Sequence, residues 1–210
     1  MPLIVEARVA GSVCDAALAA AATELESGRP IAVPTDTVYG LAARVTDPVA
    51  IQEMLVRKQR PAERRLAVLV SGVDQAAELV EIDAGARLVL ARFWPGPLTV
   101  VLPRAAGAPP DVGDAATIGV RCPDEDFVRR LADVVGSLAS TSANPHGAPT
   151  PGDAAAVAGA FPSLGLVIDG GRRSSVASTV VDLTGPEPIV VRPGATSAAE
   201  IAAVVAGRES

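Results

Sequence analysis

The stretch DAALAAAATELESGRPIAVPTDTVYG, residues 15–40, decides the fold class of this chain. Its first half is rich in alanine, opens with Asp15, a residue that can cap a helix, and closes at Gly28, a residue type that often ends one. Ile31–Val33 is then a short apolar run of the kind that forms a buried strand. A helix followed by a buried strand indicates an α/β or α+β fold, in which helices pack on a sheet.

The same alternation continues along the rest of the sequence. Asp47-Pro48 opens another helix, with a capping carboxylate followed by a proline in the first turn. Apolar, β-rich runs predict further strands, and capping residues predict further helix starts. The strands cover residues 66–70, 98–102, 179–183 and 189–191, and the helices open at Asp124, at Asp153 and at the Ser197/Glu200 capping box. We expect the strands at 66–70 and 98–102 to be central in the sheet.

Two segments after the predicted central strands have contrasting patterns. In the helix that opens at Asp124, Phe127, Leu131 and Val134 recur at i, i+4 and i+7, so we expect these three side chains to face the core. Residues 141–152 are rich in Ser, Thr, Asn, Pro and Gly and lack apolar periodicity, which predicts a long loop. Loops of this length inside compact domains are often functional.

Length and composition narrow the functions open to the chain. With 210 residues, 49% of them hydrophobic, the chain can bury one large core, and we expect one domain over residues 1–210. The net charge of -6 argues against a protein held to nucleic acid by its overall field. An aromatic content of 2% also leaves few side chains on which bases could stack. Any basic site must therefore be local.

Cysteine and histidine are too scarce to suggest a structural metal site. Cys14 and Cys122 lie far apart in the sequence, and His146 is the single histidine. This supply argues against zinc and predicts two buried free thiols in a reducing compartment. No stretch approaches the roughly 20 apolar residues of a membrane span, so we expect a cytoplasmic protein without membrane association.

Residue types that occur once mark where to look for chemistry. Lys58 is the sole lysine among 18 basic residues, so its position carries information. Asn144, His146 and Tyr39 are likewise the only residues of their types. All three lie in polar or turn-rich segments without the apolar periodicity of a core element.

Lys58 and Arg60 form a candidate phosphate site. Pro61 disfavours the helical conformation at Arg60, and extended residues two positions apart share one face. A point charge beside a planar guanidinium would then suit the phosphates of a nucleotide. The alternative is a solvated basic run over residues 57–65, with Arg57 facing the other way.

Small polar side chains follow two apolar segments. Residues 140–144, STSAN, could converge on a ligand beyond a strand end. The alternative is a capped turn in which Ser142 and Asn144 bond only to neighbouring backbone. Thr35 or Thr37, which follow the strand at 31–33, could reach the same end of the sheet.

The common nucleotide and hydrolase motifs do not occur in the sequence. It contains no Walker A pattern, GxGxxG, GxSxG or HExxH. Phosphate-loop, dinucleotide, α/β-hydrolase and zincin sites therefore lack support. A nucleotide site in this chain would be unconventional.

Taken together, these segments resemble the YrdC-like family over residues 28–194. The matching elements follow one order: PTDTVYG at 34–40, KxRP at 58–61, FWPGPLTVV at 93–101, IGVRCP at 118–123, SxN at 142–144, DGG at 169–171, STVVD at 178–182 and VRPG at 191–194. Because the chain ends at Ser210, it resembles the short, single-domain TsaC-type form. The resemblance implies a twisted mixed β-sheet with flanking helices around a large, basic, concave cavity.

The resemblance also implies an activity, the synthesis of threonylcarbamoyl-AMP and pyrophosphate from ATP, L-threonine and bicarbonate with Mg²⁺. The product serves the N6-threonylcarbamoyl modification of adenosine 37 in tRNA. Transient contact with a TsaD-type tRNA-modifying complex is implied, with weak or indirect contact to tRNA itself. The family pattern assigns roles to ten residues: Lys58, Arg60, Ser142 and Asn144 for catalysis and nucleotide binding, Ser140, Thr141, Ser178 and Arg192 for nucleotide binding, and Thr35 and Arg121 for threonine. It assigns no metal ligand to a protein side chain.

The sequence also departs from the family pattern in its substrate loops. The departures are Arg64 and Arg65 after the KxRP element, Pro145 and His146 after the SxN element, and Ala177 before Ser178. Two other functions therefore remain open: a divergent family member that binds nucleotide without making the adenylate, and a module that binds RNA. The carbamoyl-transfer domain of a hydrogenase maturation protein would need attached zinc-binding and acylphosphatase modules.

Overall fold

A computed structural model describes residues 1–58, 66–145, 147–173 and 176–206. The strands are β1 (Leu3–Glu6), β2 (Arg8–Val9), β3 (Ser12–Val13), β4 (Ile31–Val33), β5 (Gly40–Arg44), β6 (Ala67–Leu69), β7 (Leu98–Pro103), β8 (Thr117–Arg121), β9 (Leu138–Ser142), β10 (Leu166–Asp169), β11 (Thr179–Asp182) and β12 (Ile189–Arg192). The helices are α1 (Asp15–Glu26), α2 (Pro48–Arg57), α3 (Val73–Ala77), α4 (Ala84–Phe93), α5 (Asp126–Val135), α6 (Ala154–Ala160) and α7 (Ala198–Ala206).

One mixed sheet organises the chain. Within the described residues its ten strands run in the order β1-β10-β4-β5-β9-β6-β8-β7-β11-β12, and β2 pairs with β3 in a separate hairpin. Neighbours are parallel at β1/β10, β10/β4, β6/β8 and β7/β11, and antiparallel at the other five junctions. The predicted α/β fold with a mixed sheet is thus confirmed, and β6 and β7 are central strands as predicted.

Helices pack on both faces of the sheet. On one face, α1 and α5 cover β4, β5, β9 and part of β6, through buried side chains such as Leu25, Phe127 and Leu138. On the other face, α2, α4, α6 and α7 pack on a longer row of strands, and Val100 and Val120 there are 0% exposed. Fully burying a valine or leucine contributes about 1.5–3 kcal/mol, so these two clusters dominate the stability of the fold.

Helix α5 begins later than predicted. It starts at Asp126, with Glu125 as its N-cap, rather than at Asp124. Phe127 and Leu131 are buried as predicted, but the prediction for Val134 is wrong, because Val134 is 62% exposed. The buried face is completed by Val128, Ala132 and Val135, so its centre lies one residue further along the helix than the i, i+4, i+7 pattern placed it.

The capping residues predicted for the other helices are confirmed except at α1. The carboxylates of Asp47 and Asp153 accept capping hydrogen bonds from Ala50 and Ala156, and Ser197 forms the predicted capping box with Glu200. Asp15 does not cap α1. It occupies the first turn, and Cys14 is the N-cap, without a side-chain capping bond.

The predicted loop at 141–152 begins two residues too early. Thr141 and Ser142 belong to β9, because they pair with Leu41 and Gly40 of β5. The neighbouring strand therefore overrides a local composition that is typical of a loop. Thr141 and Ser142 consequently lie on a strand, whereas Asn144 lies in the loop that follows it.

The two cysteines differ in environment. Cys122 is buried, and its thiol donates to the carbonyl of Ser71 at 3.3 Å. Burial raises the pKa of the Cys122 thiol to about 11, so it stays protonated at neutral pH. Cys14 is only half-buried, which makes the prediction of two buried thiols right for Cys122 and wrong for Cys14. None of the helices in the described part of the chain has the length and apolar character that crossing a bilayer requires.

Candidate active site

Lys58 lies where helix α2 ends, and its side chain reaches the end of β9. Its Nζ donates to Ser142 Oγ at 2.9 Å and to Asn144 Oδ1 at 3.1 Å, and it also contacts the Ser142 carbonyl. Lys58 is 4% exposed, so the alternative of a solvated basic run is wrong for this residue. Lys58 keeps helical angles, and its N–H bonds to the carbonyl of Met54. The extended conformation was predicted for Arg60, the residue before Pro61. Arg60 lies outside the described residues.

The loop after β9 fixes the direction of the Asn144 amide. Its Nδ2 donates to the carbonyls of Ala148 at 2.6 Å and Pro145 at 3.1 Å, and its Oδ1 accepts from the Ser142 hydroxyl at 2.6 Å. The alternative of a locally capped turn is therefore right for Asn144 Nδ2, which bonds to nearby backbone. It is wrong for Ser142 Oγ and Asn144 Oδ1, which both accept hydrogen bonds from Lys58. Together these contacts hold the ammonium in one orientation.

Arg121, the last residue of β8, forms a second charged group under the turn at residues 34–39. Its Nε donates to the carbonyl of Gly96 at 3.1 Å, its Nη1 to Thr37 Oγ1 at 2.9 Å and its Nη2 to Asp36 Oδ1 at 2.5 Å. Burial lowers the pKa of Arg121, and the facing Asp36 carboxylate works against that shift. A guanidinium nevertheless remains charged at neutral pH. Arg121 is therefore a buried cation that a carboxylate partly neutralises.

Thr35 stabilises the turn that carries Asp36. Its hydroxyl donates to the carbonyl of Val38 at 2.6 Å and accepts the N–H groups of Thr37 and Val38, each at 3.2 Å. The side chain thus replaces backbone partners inside the turn, as threonine often does. The structure brings Thr35 close to Arg121 through Thr37, while its hydroxyl is engaged locally. The sequence pattern pointed to Thr35 and Thr37 but missed Asp36 as the partner of Arg121.

Tyr39 connects two turns instead of presenting a free phenol. Its hydroxyl donates to the carbonyl of Gly171 at 2.8 Å and accepts the N–H of Gly170 at 3.1 Å. Tyr39 is 0% exposed, and burial raises its pKa to about 12. Tyr39 therefore belongs to the core, although its segment lacks the apolar periodicity of a core element. The residue joins the PTDTVYG turn to the DGG turn, two elements of the sequence pattern that are far apart in the chain.

Ser178 and Arg192 form a third polar group at the far side of the sheet. Ser178 Oγ lies 2.9 Å from Thr99 Oγ1, and Arg192 Nη2 donates to Ser178 Oγ at 3.1 Å and to its carbonyl at 2.9 Å. Antiparallel pairing of β12 with β11 sets Arg192 opposite Val180 and brings it to this position. Thr99 is a candidate site residue that the sequence pattern did not single out.

The strand register places these groups on one face of the sheet. Arg121, Thr99, Val180 and Arg192 are side by side on β8, β7, β11 and β12. The neighbouring row across the sheet is formed by small or apolar side chains on five strands: Ala42, Ser140, Ala67, Gly119 and Val101. Since alternate residues share a face, Ser142 also points this way.

This face is partly open where α1 and α5 do not cover it. Ala67, Gly119 and Val101 are half-buried, whereas Val120 on the opposite face is fully buried. Thr141 alternates to that opposite face, so only its backbone can serve a ligand on the open one. The Ser140 hydroxyl is on the open face and donates to the carbonyl of Leu41 at 3.0 Å.

The cations Lys58, Arg121 and Arg192 border this open face from different sides. Strands are spaced by about 4.8 Å, so the two steps from β9, which Lys58 contacts, to β8, which carries Arg121, span about 10 Å. Lys58 and Arg121 therefore suit a ligand with more than one anionic group. The described residues contain no group of three or more His, Cys, Asp or Glu side chains that could hold a metal ion.

Comparison with known proteins assigns the chain to a family. Residues 23–194 match the family model for Sua5, YciO and YrdC, which carries the description "telomere recombination". The threonylcarbamoyl-AMP synthase of Pyrococcus abyssi is 38% identical over 190 residues, which are 88% of this chain and 56% of the relative. The human threonylcarbamoyl-AMP synthase is 35% identical over 188 residues, 85% of this chain and 67% of the relative.

A solved relative agrees with this assignment. The crystal structure of Pyrococcus abyssi Sua5 complexed with L-threonine superposes with a TM-score of 0.90 at 34% identity, over 97% of this chain and 61% of that one. The chain thus spans between half and two thirds of the length of these archaeal relatives. Since the family model covers most of the sequence and the fold agrees, the chain belongs to the Sua5/YciO/YrdC family.

Proposed function

We propose that this chain is a threonylcarbamoyl-AMP synthase, which converts ATP, L-threonine and bicarbonate to threonylcarbamoyl-AMP and pyrophosphate. The observation that carries the proposal is the placement of two different cations on one open face of the sheet. Lys58 is oriented there by Ser142 and Asn144, and Arg121 lies two strands away. Relatives that bear this name, one of them solved with L-threonine, support the same activity.

The substrates need the charges that this face supplies. ATP and the carbamate of threonine bring several negative charges together, and a positioned cation lowers the cost of that approach. In this proposal Lys58 and Arg60 bind the phosphates and the carbamoyl group, with Ser142 and Asn144 orienting Lys58. Arg121 binds the threonine carboxylate under the turn that Thr35 stabilises.

The nucleotide lies on the remaining part of the open face. Ser178 and Arg192 bind it from β11 and β12, and the backbone at Ser140 and Thr141 lies near the adenosine. Gly119 contributes no side chain between the two cations, so a flat ligand can approach the strand closely. The two polar ends of this face then hold opposite ends of the assembled substrates.

The proposed reaction relies on position and charge more than on acid–base chemistry. The neutral amine of threonine combines with bicarbonate to give a carbamate with loss of water. A carbamate oxygen then attacks the α-phosphorus of ATP and pyrophosphate leaves, so the nucleophile is already anionic. Holding these groups in line and stabilising their charge is therefore the main task of the protein.

Magnesium enters the proposal with ATP, as the ion that neutralises phosphate charge. Mg²⁺ in such sites keeps several waters and binds substrate phosphates with few protein ligands. The absence of a multi-carboxylate cluster among the described residues is compatible with this mode of binding. The side chains that this chain contributes to the phosphates are cationic.

We further propose that the product passes to a TsaD-type tRNA-modifying complex through transient contact. A mixed anhydride such as threonylcarbamoyl-AMP hydrolyses readily, which favours direct delivery. The net charge of -6 makes a strong contact of this chain with tRNA unfavourable, so tRNA contact is weak or indirect. The cytoplasm, where ATP, threonine and tRNA occur together, is the proposed location.

Pyrophosphate release by the purified protein tests the proposed activity. The assay contains ATP, Mg²⁺ and bicarbonate and compares L-threonine with L-serine and with no amino acid. Lys58→Ala should abolish most of the release. Arg57→Ala is the matched control, because Arg57 is the adjacent cation and pairs with Glu53 and Ser163 instead.

The outcomes separate this function from its alternatives. Release that requires both threonine and Lys58 supports the synthase. Threonine-independent ATP turnover would instead favour a divergent family member that binds nucleotide. Salt-sensitive binding of tRNA without any ATP turnover would favour an RNA-binding module.

A further inference from the structure

We infer that Asp36 and Arg121 together form a receptor for the zwitterion of the amino-acid substrate. In this arrangement the substrate carboxylate replaces the Asp36 carboxylate on Arg121, and the freed Asp36 carboxylate binds the substrate ammonium. Asp36 is thus a binding residue that selects α-amino acids. The inference rests on the proposed function, because it requires the amino acid to bind at Arg121.

The contacts around the pair are asymmetric. Arg121 also donates to Gly96 and Thr37, so its guanidinium is held from two further sides. Within the described part of the chain, the Asp36 carboxylate accepts a hydrogen bond from Arg121 alone. A ligand that competes for the pair would therefore move Asp36 and leave Arg121 in place.

The exposed fractions of the two side chains also indicate that Asp36, rather than Arg121, would move. The Asp36 side chain is 14% exposed and the Arg121 side chain 6%. Asp36 is thus the more accessible member of the pair, and it lies in a turn that Thr35 and Tyr39 stabilise. A substrate carboxylate that takes the place of Asp36 on Arg121 therefore displaces the more accessible partner.

Charge balance then explains selectivity. If a simple carboxylate displaced Asp36, a partly buried negative charge would lose its partner, which is strongly unfavourable. A zwitterion brings a cation next to its carboxylate and so satisfies both members of the pair. Asp36 raises the pKa of Arg121, whereas Arg192 lowers it because Arg192 is a second nearby cation. Arg192 therefore also attracts the carboxylate of the ligand.

Ligand affinity measured without ATP or bicarbonate tests this inference. Calorimetric Kd values would be measured for L-threonine and for 3-hydroxybutyrate, which lacks the ammonium, on the wild type, Asp36→Asn and Asp36→Glu. Asp124→Asn is the matched control, since it also removes a carboxylate from an Asp–Arg pair, that with Arg129 at 3.1 Å, but at an exposed position.

We expect the wild type to bind L-threonine on the order of 30-fold or more tighter than 3-hydroxybutyrate, as the pairing of a partly buried charge predicts. Asp36→Asn should weaken threonine binding by a similar factor without weakening 3-hydroxybutyrate binding, so the preference collapses. Asp36→Glu should retain most of the preference. Asp124→Asn should behave as the wild type.

Two results would overturn the inference. One is a wild type that binds both ligands equally well. The other is an Asp36→Asn variant that keeps its threonine affinity or loses both ligands equally, as a merely structural role would require. A wild type that neither binds threonine nor releases pyrophosphate with it would remove the proposed function as well, and the wild-type measurements alone reveal that case.

Discussion

Two cationic groups on the same face of the sheet differ in how they are held. The Lys58 ammonium donates hydrogen bonds to neutral oxygens of Ser142 and Asn144, which fix its orientation. The Arg121 guanidinium contacts the Asp36 carboxylate, which cancels much of its charge. The first arrangement positions an ammonium, which suits contact with a phosphate oxygen. The second suits a ligand that carries both signs, such as an amino acid.

Removing the Lys58 charge should have the largest effect on activity. Lys58→Met keeps the length of the side chain but removes the ammonium, and we expect pyrophosphate release to fall on the order of 100-fold or more. The threonine Kd should change by no more than about 2-fold, because distant sites behave almost independently. Stopped assays of pyrophosphate and calorimetry on one preparation measure both. A threonine Kd that rises as much as activity falls would end the distinction between the two groups.

Adding a side chain at Gly119, on the open face between Lys58 and Arg121, should have the next largest effect. A Cβ at Gly119 would lie 3.5 Å from Thr99 Cγ2, an ordinary contact, so the position tolerates a side chain sterically. Gly119→Val projects methyl groups onto the open face, and displacing bound substrates by about 1 Å can cost up to about 100-fold in rate. We expect kcat/KM to fall while the unfolding midpoint changes little. The control is Gly159→Ala, in α6, where an added Cβ meets nothing within 4 Å.

Removing one oxygen that orients Lys58 should have a smaller effect. Ser142→Ala leaves Asn144 Oδ1 in contact with the ammonium, and a lost hydrogen bond to a charged group costs about 1.5–3 kcal/mol. We therefore expect pyrophosphate release to fall on the order of 10-fold or somewhat more, less than for Lys58→Met. A loss in Ser142→Ala equal to that in Lys58→Met would show that Ser142 does more than orient the lysine.

Tyr39→Phe should affect stability more than catalysis. It removes the hydrogen bonds that join two turns, which should lower the free energy of unfolding by about 1 kcal/mol. The pKa of Tyr39 is raised from 10.0 to about 12, so above pH 10 the unfolded chain loses this proton first. Wild-type stability should therefore fall between pH 10 and 12 more steeply than that of Tyr39→Phe.

Denaturant unfolding at several pH values measures this difference. Because Tyr39 is the single tyrosine, tyrosinate absorbance reports its ionisation directly in folded and unfolded protein. Cys122 also has a raised pKa and titrates in both proteins, so subtracting the variant isolates Tyr39. Identical pH profiles of the wild type and the variant would contradict the role of the buried phenol.

Strands with apolar, branched side chains could be predicted, and others could not. The runs that became β4, β6 and β7 were found because their residues are of the type that packs on both sides of a sheet. Strand β5, GLAAR, has no β-branched residue and was missed, since its pairing with β4 and β9 decides its conformation. Local propensity does not contain that information.

The sequence by itself determined the fold class and singled out Lys58 and Asn144 as candidate site residues. Their residue types occur once, so their positions could be read without any structure. Only the tertiary structure decided that Arg121 meets Asp36, 85 residues away, and that Thr141 faces away from the open side. The reason is physical: the apolar pattern and the rare residue types are local properties of the chain. Contacts between distant turns and the facing of each strand residue depend on pairing register, which forms only when the whole sheet assembles.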